Sequence, residues 1–413
     1  MKTRIFGAAA ATLLAMATAA TAADDGIPVG GMLTFTGPTS DVGEPYGQAI
    51  QDSVAYINEN GGINGQQINL QSVDYGYEIP RAIAAYKKWQ SSLKPVAILG
   101  WGTSDTEALV PFITKDKIVY MSASYSGHLT DPTGEAEHSD FAAPYNFFAG
   151  PTYSDACRAQ ASWAMEDWQA SGEEGQPKWI HMGADHPYSN APKAACSAWA
   201  EDLGFEVLPS ITFSLSPSDF KSQCLSLKSS GANYAYLGNT AASTAALLKA
   251  CETVGTEVQF VANVWGFDED SVSATGAAAD GFVFPAFADW QTDVPGMETV
   301  RAVSKMSDAS GDKQRVLAYI RGVCSTFFLR DGMRIAAEQG EVTSDSIKAA
   351  LETMEEHVPE ELEGVCLPAT WTATNHRGTV EVRLYQNHWN DGDFEFERLT
   401  TVELPRGEEF LGW

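Results

Sequence analysis

Short apolar runs along the chain alternate with stretches in which apolar residues recur at helical spacing. Residues 29–35 read as a strand that Gly37-Pro38 breaks, and Tyr46, Ile50, Val54 and Ile57 then mark a helix up to Asn60-Gly61-Gly62. The same rhythm predicts strands at 68–73, 96–99, 118–121 and 145–148, with helices over 80–93 and 104–113 between them. Every position of 96–99 is apolar, as in a parallel strand buried on both faces. The pattern restarts with a helix over 154–169 and a strand at 179–182. Helices over 190–203, 218–228 and 241–254 then alternate with strands at 207–213, 234–237 and 259–264. A strand at 282–287, helices over 297–307, 315–338 and 344–356, and a strand-rich tail over 366–404 complete the series.

Repeated β-α-β units imply an α/β fold of mainly parallel sheets flanked by helices. Two series in one chain imply two lobes, 24–149 plus 286–358 and 150–285 plus 359–413. Ligands of such sheets bind beyond the carboxyl ends of the strands, so a ligand between lobes meets strand-end loops of both.

The 413 residues, 44% of them hydrophobic, exceed one typical domain. The first residues predict a signal peptide over 1–22: Lys2 and Arg4, an apolar stretch from Ile5 to Ala17, then Ala20-Thr21-Ala22 before Ala23. The apolar stretch is short of the ~20 residues a membrane span needs, and no cysteine near the cleavage site suggests a lipid anchor. A soluble periplasmic protein is expected. Of 26 basic residues the leader removes two, leaving 24 against 54 acidic side chains and a net charge of −30. That charge disfavours nucleic acid and anionic lipid as partners and favours a monomer.

Six cysteines, an even number in an exported chain, favour disulfides. If the second lobe is doubly wound, the helices around strand 179–182 share one face and those around strand 234–237 share the other. This pairs Cys157 with Cys196 and Cys224 with Cys251, and leaves Cys324 for Cys366 by elimination.

Catalytic signatures are missing. There is no G-x-S-x-G, no H-E-x-x-H and no Walker loop, and no motif implies a metal or cofactor. Asp185-His186 reads as a surface loop and Asp268-Glu269-Asp270 as a solvated helix start. Two strand ends, by contrast, run into hydroxyl-rich loops: Gly100-Trp101-Gly102-Thr103-Ser104-Asp105-Thr106 and Ser122-Ala123-Ser124-Tyr125-Ser126-Gly127. Free N–H groups and hydroxyls there can hold a carboxylate. Helix capping explains either loop alone equally well, but two such loops on neighbouring strands favour a ligand. Trp101, Tyr125, Tyr75, Tyr77, Tyr188 and Trp265 cluster at strand ends and could wall an apolar or cationic ligand.

Leu33-Thr34-Phe35-Thr36-Gly37-Pro38, Gly43, the run from Ile57 through Asn58-Glu59-Asn60-Gly61-Gly62-Ile63-Asn64 to Gly65, and Asp74 resemble the amino-terminal lobe of the branched-chain amino acid binding proteins. These are type I periplasmic binding proteins of ABC importers. Ile98-Leu99-Gly100 with Ser104, and Met121-Ser122-Ala123-Ser124 with Ser126, continue the likeness over nearly the whole mature chain. The resemblance implies two lobes closing on a small molecule, no catalysis, and an ABC permease as partner. It points to Ser104, Ser124 and Ser126 for the ligand carboxylate, and to Tyr188 and Thr240 as further contacts. With the aromatic residues Trp101, Tyr125 and Trp265 these form the candidate site. Where that family has the acid that holds an amino acid's ammonium, this chain has Trp265 or a neighbour, in Ala262-Asn263-Val264-Trp265-Gly266-Phe267; Asp155 is a candidate to compensate, and Asp268 lies further along. The expected ligand is a small carboxylate, either an amino acid or an aromatic acid. A sensory protein of the same fold, or a binder of amides or cationic amines, is the alternative.

Overall fold

The computed structural model describes residues 26–267, 269–289 and 293–413. The expected leader and Asp268 lie outside the described residues.

Two sheets organise the chain. The first is built from β1 (Ile27–Leu33), α1 (Ser40–Glu59), β2 (Ile68–Asp74), α2 (Ile79–Ser92), β3 (Ala97–Leu99), α3 (Thr103–Asp116), β4 (Val119–Met121) and β5 (Asn146–Phe147). Its strand order is β2-β1-β3-β4-β5, parallel throughout. The second comprises α4 (Tyr153–Ser171), β6 (Lys178–Gly183), α5 (Pro187–Asn190), α6 (Lys193–Leu203), β7 (Glu206–Thr212), α7 (Lys221–Ser230), β8 (Tyr234–Leu237), α8 (Ala241–Thr253), β9 (Gln259–Ala262), α9 (Glu269–Thr275) and β10 (Val283–Ala286). Then follow α10 (Gly296–Ser304), α11 (Leu317–Gln339) and α12 (Ser344–Leu351), which pack on α1 and β4 of the first sheet. The hairpin of β11 (Glu381–Asn390) and β12 (Asp393–Glu403) extends the second sheet antiparallel, in the order β12-β11-β10-β9-β8-β6-β7.

Both sheets change winding direction at their first strand in chain order. β1 is followed by β2 on one side and β3 on the other, and β6 likewise by β7 and then β8. At such a point the connections part to opposite faces and leave a crevice at the strands' carboxyl ends. The two crevices face each other, and the candidate functional site lies where they meet.

Local differences from the sequence expectation have local causes. The helix expected over 190–203 starts at Lys193, because Pro192 occupies its N-cap and α5 is a separate single turn. The tail forms strands only from Glu381. The Asp268-Glu269-Asp270 stretch is not wholly solvated: Glu269 is buried, and both its carboxylate oxygens accept the Leu317 N–H at 3.0 Å, capping α11 where Val316 provides no side-chain cap. The two cysteine pairs that the winding predicts and the third left by elimination are joined, with Cα–Cα distances of 5.7 Å (Cys157–Cys196), 4.9 Å (Cys224–Cys251) and 5.7 Å (Cys324–Cys366).

Candidate functional site

Side-chain amides set the second-lobe loops. Asn239, after β8, accepts the Ala184 N–H (3.0 Å) and Ser189 Oγ–H (2.8 Å) and donates to Ser214 O (3.0 Å), so it ties together the loops after β6, β7 and β8. Asn263, after β9, accepts from Tyr188 Oη (2.9 Å) and the Trp265 N–H (3.1 Å) and donates to Tyr236 Oη (2.9 Å). These bonds fix Tyr188 and Trp265, two of the three aromatic side chains that this lobe presents to the crevice. In the first lobe, Gly76 and Tyr77 lie in the left-handed region (φ 62° and 61°), which turns the chain sharply after β2. The Tyr77 ring then lies so close to Gly102 that a Cβ there would come well within 3.0 Å of it.

The lobes touch at the crevice. Trp265 Nε1 donates to Ala123 O (3.2 Å), and Asp41 of α1 accepts the Ala242 N–H (2.7 Å), so a first-lobe carboxylate caps a second-lobe helix. Burial raises the Asp41 pKa, and the Ala242 hydrogen bond opposes that rise. His186 Nδ1 accepts the Tyr188 N–H (3.2 Å), which leaves the proton on Nε2 to donate to Ser104 Oγ (3.1 Å). Burial lowers the His186 pKa and keeps this neutral form. The His186 ring also lies 5.3 Å from the Tyr77 ring. His186 is therefore a bridge between lobes, in place of the expected surface loop.

Between the lobes lies a small cavity lined by Thr39, Tyr77, Trp101, Gly102, Thr103, Ala123, Tyr153, Tyr188, Thr240 and Trp265. Trp101 and Trp265 pack at 4.8 Å between ring centres, and Tyr153 meets Tyr188 edge-on at 5.4 Å. Trp101 Nε1 donates to Thr39 Oγ1 (3.0 Å) and Ser124 Oγ donates to Thr103 Oγ1 (2.8 Å), so neither threonine spends its own proton on these bonds.

Of the residues singled out in the sequence, Tyr77, Trp101, Tyr188, Thr240 and Trp265 line this cavity. Ser104, Ser124, Tyr125 and Ser126 stand behind the lining. Ser104 faces His186, Ser124 supports Thr103, and Ser126 donates to Glu107 Oε1 (3.1 Å). Tyr125 stacks on Trp265 at 5.5 Å and 11°. Thr39 and Tyr153 were not singled out. Thr39 lies in the same kind of hydroxyl-rich strand end as the two loops chosen, whereas Tyr153 opens α4 after the chain crosses between lobes and carries no local signal. Asp155 does not compensate for the missing acid. It is buried between Arg158 (3.3 Å) and Arg377 (3.5 Å), away from the lining.

Asp105 lies directly behind Gly102. Tyr75 Oη donates to its Oδ1 (2.7 Å), and Oδ2 has no partner. Burial lifts its pKa from 3.8 to about 7. An acid whose pKa is higher when folded binds more protons in the folded state, so its contribution to stability declines as pH rises from 3.8 to about 7. Asp105→Asn keeps the acceptor for Tyr75 and mimics the neutral acid. Its melting temperature is expected to exceed that of wild type at pH 8 and to match it more closely at pH 5. A gap that widens towards pH 5 would refute this assignment.

Comparison with known proteins agrees with this architecture. The family model for periplasmic binding proteins matches residues 26–393. An ABC transporter substrate-binding protein from Aeropyrum pernix is 27% identical with a TM-score of 0.80, over 93% of this chain and 97% of that one. A branched-chain amino acid ABC transporter protein from Thermus thermophilus with bound valine is 19% identical with a TM-score of 0.77, over 90% and 94%. A solute-binding protein of an ABC transporter from R. palustris in complex with 4-hydroxybenzoate is 18% identical with a TM-score of 0.73, over 91% and 97%. No curated protein sequence matches. Among the described residues no helix is long and apolar enough to cross a membrane. The chain belongs to the periplasmic binding protein family, and its role is to bind a solute, not to catalyse a reaction.

Proposed function

We propose that this protein is the periplasmic substrate-binding component of an ABC importer and that its ligand is a small carboxylate with an apolar or aromatic body. The observation that carries this reading is the lining itself: five aromatic rings, three threonines, and no aspartate, glutamate, lysine, arginine or histidine. Threonine hydroxyls and the uncapped N-terminus of α3 at Gly102-Thr103 offer donors to a carboxylate. The rings offer faces and edges to its body. An α-ammonium would meet no carboxylate on the lining, so a deaminated acid fits at least as well as an amino acid. Valine and 4-hydroxybenzoate, bound in two of the neighbours, are both small carboxylates with an apolar or aromatic body. The lobes, 24–149 with 286–358 and 150–285 with 359–413, close by hinge motion, and ligand contacts favour the closed state presented to the permease.

A thermal-shift series with leucine, valine, benzoate, 4-hydroxybenzoate, 4-methylpentanoate and choline tests this. A ligand at 100 times its Kd adds about 2.7 kcal/mol to stability. 4-Methylpentanoate or a benzoate is expected to stabilise at least as well as leucine. Selective stabilisation by L-amino acids, abolished when the ammonium is removed, would refute the proposed ligand class. Stabilisation by choline alone would replace the carboxylate with a cation held by the rings.

A further inference from the structure

We infer that Arg321, on α11, is the cation that makes this cavity prefer an anion over its neutral isostere; the inference rests on the carboxylate reading above. Arg321 is 1% exposed. From a helix packed on the first lobe it reaches the strand ends of the second, donating to Val264 O after β9 and to Pro285 O in β10 (3.2 Å). Its Nε has no partner. The guanidinium carbon lies 4.3 Å from the Phe287 ring centre and 5.0 Å from that of Trp265, the residue that lines the cavity. The other buried arginines each face a carboxylate: Arg158 faces Asp155 at 3.3 Å, Arg330 faces Glu361 at 2.7 Å and Arg377 faces Asp155 at 3.5 Å. Among the described residues no carboxylate comes within ion-pair distance of Arg321.

A buried cation without an anion is strongly unfavourable. Backbone carbonyls, ring faces and the Glu269 carboxylate, beyond ion-pair distance, offset part of that cost here. The remainder falls when an anion enters the cavity one ring away, because charges interact strongly across a dry interior. Burial pulls the Arg321 pKa down to about 10, so it stays charged at neutral pH. Its charge is felt by Tyr125 and Glu269 and, on the lining, by the phenols of Tyr188 and Tyr153. Arg321 acts through Trp265, as a positioning and specificity-determining residue.

Calorimetric titration of two acid–amide pairs, benzoate with benzamide and 4-methylpentanoate with its primary amide, separates charge from shape. In wild type the acids should bind more tightly than the amides. Arg321→Met should weaken the acids about tenfold, about 1.4 kcal/mol, and the amides far less, so that the acid-to-amide ratio collapses. Arg321→Lys should preserve the ratio even where both affinities fall. If the Met variant does not fold, the Lys variant decides, and a lost ratio overturns the inference. Acids that bind wild type, with acid and amide weakened equally in Arg321→Met, would show Arg321 to be structural only. Wild type that binds choline and neither acid would overturn the ligand class as well.

Discussion

Gly102→Ala is expected to weaken ligand binding roughly a hundredfold while leaving a folded protein. Gly102 is the N-cap of α3 with φ −91° and ψ 167°, a conformation open to any residue, so the glycine is required by space and not by backbone. A methyl group there would come well within 3.0 Å of Tyr77 Cε2 and Asp105 Oδ1. Tyr77 cannot yield easily. Its own backbone is left-handed, and its ring stands between Tyr75 at 6.3 Å and His186 of the opposite lobe at 5.3 Å. The added methyl therefore drives the ring into the cavity or against the other lobe, and the closed state bears the strain. Overpacking of this kind costs about 1–3 kcal/mol, and the upper end corresponds to roughly a hundredfold in affinity. With the lobes apart the ring can swing outwards, so the ligand-free variant should still unfold cooperatively. Titration of the best-binding acid provides the check. An affinity within threefold of wild type would mean that the ligand sits elsewhere.

The architecture was readable because burial on both faces leaves a plain pattern. The apolar run at 96–99 and the four apolar residues of β8 appear in the sequence almost as they do in the sheets. The departures arise where a polar residue is buried for a reason beyond its own segment. Glu269 looks like solvated helix chemistry until α11, remote in sequence, brings the Leu317 N–H to it. His186 looks like a loop residue until the lobes meet and Ser104 supplies its second partner.

At the site, the sequence indicated the correct loops more clearly than the correct side chains. Neighbouring residues on a helix point roughly 100° apart. Thr103 therefore lines the cavity while Ser104 turns to His186, and nothing local distinguishes the two hydroxyls. Ser124 lies one layer behind, supporting Thr103. Aromatic residues were easier, since a tryptophan just past a strand end has few places to go: Trp101 and Trp265 meet across the lobe boundary. Arg321 sits inside a helix with no sign of its role, because what matters there is the missing carboxylate partner, a property of the fold.

Replacing the disulfides should separate stability from binding, with one bridge behaving differently from the other two. The bonds close loops with sequence separations of 39, 27 and 42. On a chain-entropy basis each adds about 3–4 kcal/mol, close to the usual range. Together they rival the ~5–15 kcal/mol of a whole domain, so removal of all six cysteines should prevent stable folding at 37 °C. Cys157–Cys196 joins α4 to α6 and Cys224–Cys251 joins α7 to α8, both within the second lobe. None of these four residues lines the cavity. Replacing either pair with alanine should lower the melting temperature by roughly 5–15 °C and change affinity less than twofold. Cys324–Cys366 does more than close a loop. Cys324 lies three residues after Arg321 on α11, one turn along the same face, and Cys366 pairs with Ala288 in an isolated bridge just beyond β10. This bond holds the helix that presents Arg321 against the strand end that Arg321 contacts. Its removal should therefore lower the melting temperature and also weaken acid binding severalfold, with the acid-to-amide ratio reduced as in Arg321→Met. Unchanged affinity in the variant lacking Cys324–Cys366, or losses of affinity shared equally by all three variants, would sever the link between this bridge and the site.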